Sequence, residues 1–269
     1  MRDNFPTTAA APLDQADGLR RMFSGARRCF IPLVANPHVS FSGVVLERVT
    51  TALAALGAKV LLVDAADTSP PLPELALIDL AGCIEQLDER TAYLPARGLP
   101  RAHVDTRGGA GSLLDVLAAV EPRADVVLLY GEMGDLARVF QRCEVRPILL
   151  GADHPESIKH AYAACKIFAQ RCGLMTFDLL LAAPAGSRRV RAISTSLAGC
   201  ADRFLGALLN NSATVDPAVD VADPPSRALQ ELLARQLQLA GSPGERGLYS
   251  LPTPGLAPAS HRDWHATTH

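Results

Sequence analysis

Five short apolar runs punctuate residues 29–183, and stretches with helical spacing lie between them. The runs are Cys29–Ala35, Lys59–Asp64 (KVLLVD), Ala124–Tyr130 (ADVVLLY), Arg146–Gly151 (RPILLG) and Phe177–Ala183. Their interiors are almost continuously apolar rather than alternating, as expected of strands covered on both faces. Strands of that kind joined by helical crossovers give an α/β fold: a mostly parallel sheet flanked by helices. Between the runs, Val45, Val49, Leu53 and Leu56 predict a helix over Val44–Leu56, which Gly57 ends. Further helices are predicted over Ser112–Val120 with Ser112 as N-cap, over Gly134–Arg142, and from an Asp153 cap through Pro155 and Glu156 to about Cys172. A long helix is predicted over Arg188–Leu209. His103–Thr106 is predicted as a short strand. Leu75–Leu87 has helical apolar content but follows Pro70, Pro71 and Pro73, and stays unassigned.

Right-handed crossovers place a ligand crevice at the carboxyl ends of such strands. The loops there are Asn36–Ser42, Ala65–Ser69, Gly131–Gly134 and Ala152–His154. The 269 residues suit one such domain with added segments. The expected organisation is a flexible N-terminal arm with a partner-binding helix over 1–28, the α/β domain over 29–215, and an amphipathic stretch with a disordered Pro-rich tail over 216–269. A net charge of −2 makes no electrostatic case for nucleic acid. The six cysteines lack a C-x-x-C pair, so reduced buried thiols in a cytoplasmic protein are expected, and no metal site. No apolar run approaches the roughly 18 residues of a membrane span, and no secretory signal is present.

Residues 14–20 read Asp14-Gln15-Ala16-Asp17-Gly18-Leu19-Arg20, ahead of the first strand. This segment resembles the Asp-Gln-Ala-x-x-Leu-Arg pattern near the N-terminus of the FlhG (FleN) family of flagellar number regulators, members of the MinD/ParA class. Pro155-Glu156-Ser157-Ile158-Lys159-His160-Ala161-Tyr162 also resembles that class's Pro-x-x-Ile-x-Asp-Ala-Tyr helix start, with His160 in place of Asp. The resemblance covers about residues 13–215. It implies a MinD/ParA-like P-loop NTPase fold and a regulator of flagellar number or placement. It also implies that the N-terminal segment docks on the GTPase FlhF and stimulates it. The partner-binding residues would then be Asp14, Gln15, Ala16, Leu19, Arg20 and Phe23. Leu13, Leu19, Met22 and Phe23 would be the apolar anchors of a helix in a groove, and Arg20 a fork of donors. Flagellar basal-body or polar regulatory proteins are further candidate partners.

In that family the loop after the first strand wraps phosphates with glycine amides, lysines neutralise their charge, and a hydroxyl holds magnesium. Aligned on Val44-Val45-Leu46 and Lys59–Asp64, the deviant lysine falls on Asn36, glycines on Pro37, His38 and Ser40, and the phosphate lysine on Phe41. The magnesium hydroxyl falls on Ser42, and Asp64 matches the first acid after the second strand. The second acid falls on Ala66, with Asp67 one residue late. Glu132 stands near the family's magnesium-linked Asp, either as a partial substitute or as a solvated loop residue. Pro37 has no N–H to donate, and Phe41 brings no charge. Asn36, Phe41, Ser42 and Asp64 therefore read as a vestigial nucleotide site. The expectation is a pseudo-ATPase with no cofactor. The alternative is an active MinD-type ATPase with an atypical phosphate loop, using ATP and magnesium.

Other patterns have plainer readings. Arg20, Arg21, Arg27 and Arg28 form a basic cluster that suits an acidic partner face or a solvated arm. Arg227–Leu239 presents Leu229, Leu232, Leu233, Leu237 and then Ala240 on one face, which favours packing on the domain over peripheral attachment at the inner membrane. His261, His265 and His269 recur by coincidence in a Pro-rich segment. No Gly-x-Ser-x-Gly elbow supports nucleophilic catalysis.

Overall fold

The computed structural model describes residues 28–184, 187–220 and 222–241. The Asp14–Phe23 predictions, Arg20, Arg21 and Arg27, and the three C-terminal histidines all lie outside the described residues.

Eight strands form one sheet. In chain order the elements are β1 (Cys29–Val34), α1 (Ser42–Ala55), β2 (Val60–Asp64), single 3-10 turns at Glu74–Leu77 and Ala81–Cys83, β3 (Glu85–Gln86), β4 (Thr91–Pro95), α2 (Leu99–Ala102) and α3 (Ser112–Val120). There follow β5 (Val126–Gly131), α4 (Met133–Val139), β6 (Ile148–Ala152), α5 (Pro155–Cys172), β7 (Thr176–Ala182), α6 (Arg188–Leu205), β8 (Leu208–Val215) and α7 (Arg227–Gly241). The spatial order is β3-β4-β2-β5-β1-β6-β7-β8, parallel throughout except for the β3–β4 pair. The predicted α/β class and mostly parallel sheet are the observed ones.

The five apolar runs are strands because each has both faces covered. On one face α1 and α7 meet the sheet: Val45, Val49 and Leu53 pack with Leu229, Leu232 and Leu233 over Ile31, Leu33 and Leu128. On the other, α3, α4, α5 and α6 cover Val127, Leu129, Leu149 and Leu179, with Phe140, Phe168 and Phe177 fully buried. The apolar stripe of Arg227–Leu239 thus lies against its own domain, with Leu229, Leu232 and Leu233 at most 2% exposed. Among the described residues no helix is long and apolar enough to cross a membrane.

Several sequence predictions fail locally. The strand near residue 100 is β4 at Thr91–Pro95. His103–Thr106 instead follows α2, leading into a turn in which Asp105 Oδ1 accepts from the Arg107 and Gly109 amides. The long helix predicted to Leu209 stops at Leu205, where Gly206 takes a left-handed φ of 66°, and the chain re-enters the sheet as β8. Ser112 is the first residue of α3, not its cap, which is Gly111. The cap of α5 is His154, whose Nδ1 accepts from Glu156 N, and not Asp153. Of the basic cluster only Arg28 is described, and it is held by the core: it donates to the carbonyls of Ala124 and Ala118. The cysteines are free; Cys29, Cys83, Cys143 and Cys165 are buried, Cys172 is half-buried and Cys200 exposed.

Candidate functional site

The carboxyl ends of β1, β2, β5 and β6 open on one edge, and the sequence-aligned crevice residues all lie there. After β1 the chain needs a tight link into α1. Asn36 provides the lower half of that link. It is 3% exposed, its Nδ2 donates to Leu150 O (2.8 Å), Ser157 O (2.9 Å) and Ser157 Oγ (3.0 Å), and its Oδ1 accepts from His38 N (3.1 Å). Its amide therefore staples β1 to β6 and to the first turn of α5. Ser157 Oγ in turn accepts from Ala152 N at 2.8 Å.

Phe41 provides the upper half. It caps α1 at φ 59° and ψ 36°, the left-handed region a bulky residue seldom enters, and its side chain is 71% exposed. No side chain caps α1. Ser42, directly after it, shares a side-chain hydrogen bond with Tyr130 at the end of β5.

Asp64 ends β2 half-buried. Its Oδ1 accepts from Ala66 N (3.3 Å) and its Oδ2 from Tyr93 Oη (3.4 Å), both long. Burial outweighs these bonds and holds its carboxyl above the ordinary range. Beside it the chain supplies its own cation. Arg101 on α2 bridges Asp67 (3.1 Å) and Asp135 (2.9 Å), and Arg138 also reaches Asp135 (3.2 Å). Glu132 is half-buried rather than a solvated loop residue. Burial first, and the Asp67 charge second, push its carboxyl up.

Three imidazoles complete the edge. The His38 ring lies 6.2 Å from both His154 and His160, stacked on the first and edge-on to the second. His160 Nε2 donates to Ala35 O at 3.2 Å, and burial and then the His38 charge lower its pKa. Among the described residues no group of histidines, cysteines and carboxylates is arranged to hold a metal ion.

The structure thus gathers Asn36, Phe41, Ser42 and Asp64 on one edge, as aligned. Sequence reasoning missed Tyr93, Arg101 and Asp135. The first sits on a strand whose apolar run is only five residues long, and the other two form an ion pair 34 positions apart that no spacing rule reveals. A separate apolar groove of about 450 Å³ lies between α5 and α6, lined by Ile158, Tyr162, Leu197 and Phe204 among others.

No protein-family model matches the sequence, and no curated protein matches it. Solved structures do match. The MinD cell division protein of Aquifex aeolicus superposes with a TM-score of 0.52 at 15% identity, covering 79% of this chain and 97% of that one. A putative plasmid partition protein of Borrelia burgdorferi bound to AMPPNP gives 0.53 at 13%, covering 80% and 98%. Cobyrinic acid a,c-diamide synthase of Mycobacterium smegmatis gives 0.52 at 18%, covering 77% and 93%. At such identities the likeness speaks for architecture alone. The chain therefore has the fold of the MinD/ParA-type P-loop NTPases, an eight-stranded, mostly parallel sheet with helices on both faces.

Proposed function

We propose that this chain is a non-catalytic, FlhG-like regulator of bacterial flagellum assembly, which binds and stimulates an FlhF-like GTPase through Asp14–Arg20. The observation that carries the non-catalytic half is the loop after β1. A phosphate loop of this fold must turn amides and a cation inward onto several negative charges. Here the Asn36 amide is committed to protein carbonyls, Pro37 has no N–H, and the Phe41 side chain stands in solvent. Arg101, on α2, is bound by two aspartates. These residues do not fit a magnesium–nucleoside triphosphate, so no hydrolytic step is derived. Ser42 and Asp64 are the two positions at which the resemblance keeps the required chemistry, and neither neutralises phosphate.

The regulatory half rests on the resemblance of Asp14–Arg20, placed ahead of a domain of the right fold. In this reading the segment gives the partner GTPase a helix that orders its switch region. The test has two arms. Titration calorimetry with magnesium and ATP should show no binding in the micromolar range, and micromolar affinity would instead favour the active-ATPase alternative. The full chain should raise the GTP turnover of an FlhF-type GTPase, and Leu19→Ala/Arg20→Ala should abolish that rise. No stimulation by the intact chain would sink the partner assignment.

A further inference from the structure

Two surfaces of this molecule are each apolar at the centre and charged around it, with opposite signs. The first is the groove between α5 and α6. Ile158, Tyr162, Leu197 and Phe204 line it, and Lys159 is the one charged residue of its lining. Lys166 lies one turn beyond Tyr162, and Arg203 one turn beyond Cys200 of the lining, both exposed. The two helices carry seven lysines and arginines, all exposed, against the carboxylates of Glu156 and Asp202. Glu156 answers Lys159, and Asp153 just ahead of α5 answers Arg189, so seven cations still face only three carboxylates here. The whole chain, by contrast, is slightly negative, at −2.

The second surface is the excursion between β2 and β4. Residues 74–89 hold five carboxylates, Glu74, Asp79, Glu85, Asp88 and Glu89, and no lysine, arginine or histidine. The inner side of this excursion is anchored, since Ala76, Leu80 and Ile84 pack against the core. The outer side presents Leu75, Leu87 and Ile78, the last 89% exposed. Leu75 and Ile78 are three positions apart at a 3-10 turn, so they share a side. Exposed apolar side chains rimmed by charge mark an interaction surface. The two surfaces cannot meet within one molecule. α5 and α6 lie over β6 to β8, and β4 is five strand spacings from β7, roughly 24 Å at about 4.8 Å each. The complement of each is therefore found on a second copy of the chain.

We propose that this protein associates head to tail: residues 74–89 of one copy dock in the α5–α6 groove of the next. Ile78 then fills the space among Tyr162, Leu197 and Phe204 of the partner subunit. Glu74 and Asp79, on either side of it, face the lysines of the groove and Arg203. Apolar side chains supply the contact, and the opposed charges steer it and fix its orientation. The contact is heterologous, since two different surfaces meet, so it propagates into chains or rings rather than stopping at a symmetric dimer. It uses neither the loop after β1 nor Asp14–Arg20, so it stands or falls apart from the flagellar reading.

Sedimentation equilibrium of the full chain, from about 1 μM to on the order of 100 μM, reads the association. The wild type should grow past the mass of a dimer. Raising the salt from about 0.1 M to about 1 M, which shortens the Debye length from about 10 Å to about 3 Å, should weaken the contact at least tenfold. Ile78→Asp disables one surface and Lys159→Glu/Lys166→Glu the other, all at exposed positions. Either variant alone should stay monomeric. Mixed, they should form a one-to-one heterodimer and nothing larger, because each supplies the surface the other lacks, and that product also shows that both are folded. A chain carrying all three substitutions should join neither. A wild type that stays monomeric over the whole range leaves the groove to another molecule and overturns the proposal. Association that stops at a dimer overturns it too, as does a mixture of the two variants that remains monomeric while the wild type associates.

Discussion

Each end of the sheet carries a carboxylate whose pKa is raised mainly by burial, and the two are treated in opposite ways. At the amino end of β7, Asp178 is fully buried and surrounded by donors. Oδ1 accepts from Asn211 N (3.0 Å) and Asn211 Nδ2 (2.9 Å), Oδ2 accepts from Gln236 Nε2 (2.8 Å), and Arg146 stands 3.9 Å away. That one side chain ties β7, β8, α7 and the approach to β6 together. At the carboxyl end of β2, Asp64 has long hydrogen bonds from Ala66 N and Tyr93 Oη, help from the Ser69 hydroxyl, and no arginine of its own. The amino end is a closed polar network that fixes the chain's last elements. The carboxyl end around Asp64 has no such network.

The comparison is broken most sharply at Asp178. Asp178→Ala strands Arg146, Gln236 and Asn211 in the interior, and Arg146 Nε already lacks a partner there. Removing one member of a buried charge cluster costs about 3–5 kcal/mol. Urea unfolding should show a loss of that size, together with faster amide exchange through α7, since Gln236 also donates to Arg146 O at 3.0 Å. A loss below about 1 kcal/mol would mean that the cluster is not what anchors α7.

Asn36→Ala probes the one place where the open end is closed. It removes the donor for two carbonyls and a hydroxyl at a 3% exposed position, and Leu150 O and Ser157 O would be left short of a partner. The expected cost is about 1–3 kcal/mol in the same urea experiment. Exchange should rise locally at residues 36–42 and at the start of α5, and not at α7. If Asn36 instead served a ligand, its replacement would be nearly neutral for the free protein.

How much of this was legible in the sequence follows the same division. β1, β2, β5, β6 and β7 were readable because burial on both faces forces apolar runs. Their helices were readable because one buried stripe forces a 3.6-residue repeat. β8 was not, since an edge strand needs no apolar run, and Leu205, Leu208 and Leu209 continue the helical spacing of α6. Gly206 was the one local sign of the break. β4 hid for a related reason: its five residues sit between Arg90 and a terminal Pro95. At the crevice Asn36, Phe41, Ser42 and Asp64 lie on one edge because spacing along β1 and β2 carries over to space. What the alignment could not supply was the partner of each group. That Asn36 binds carbonyls, that His154 rather than Asp153 caps α5, and that Arg101 lies between Asp67 and Asp135 are all consequences of long-range packing.

Asp64 gives the smallest and most diagnostic effect. Its carboxyl is raised, so the folded state holds the proton more tightly than the unfolded chain does. The penalty for charging it is absent below the ordinary value near 3.9. It grows as pH rises through that value toward the folded one, and is fully present at neutral pH. Asp64→Asn cannot charge and escapes the penalty. The variant should therefore melt slightly higher than wild type at about pH 7, by on the order of 1–2 °C, with the gap closing as the pH falls toward about 4. The opposite sign, a variant that melts lower at neutral pH, would mean that Asp64 is answered by its neighbours as Asp178 is, and the contrast between the two ends would fail. Tyr93 offers the internal control. Its hydroxyl donates to Asp64 Oδ2 at 3.4 Å, so in Tyr93→Phe the carboxylate loses one of the groups that, with Ala66 N and the Ser69 hydroxyl, favour its charged form. The stabilisation from Asp64→Asn should then be larger than in the wild-type background.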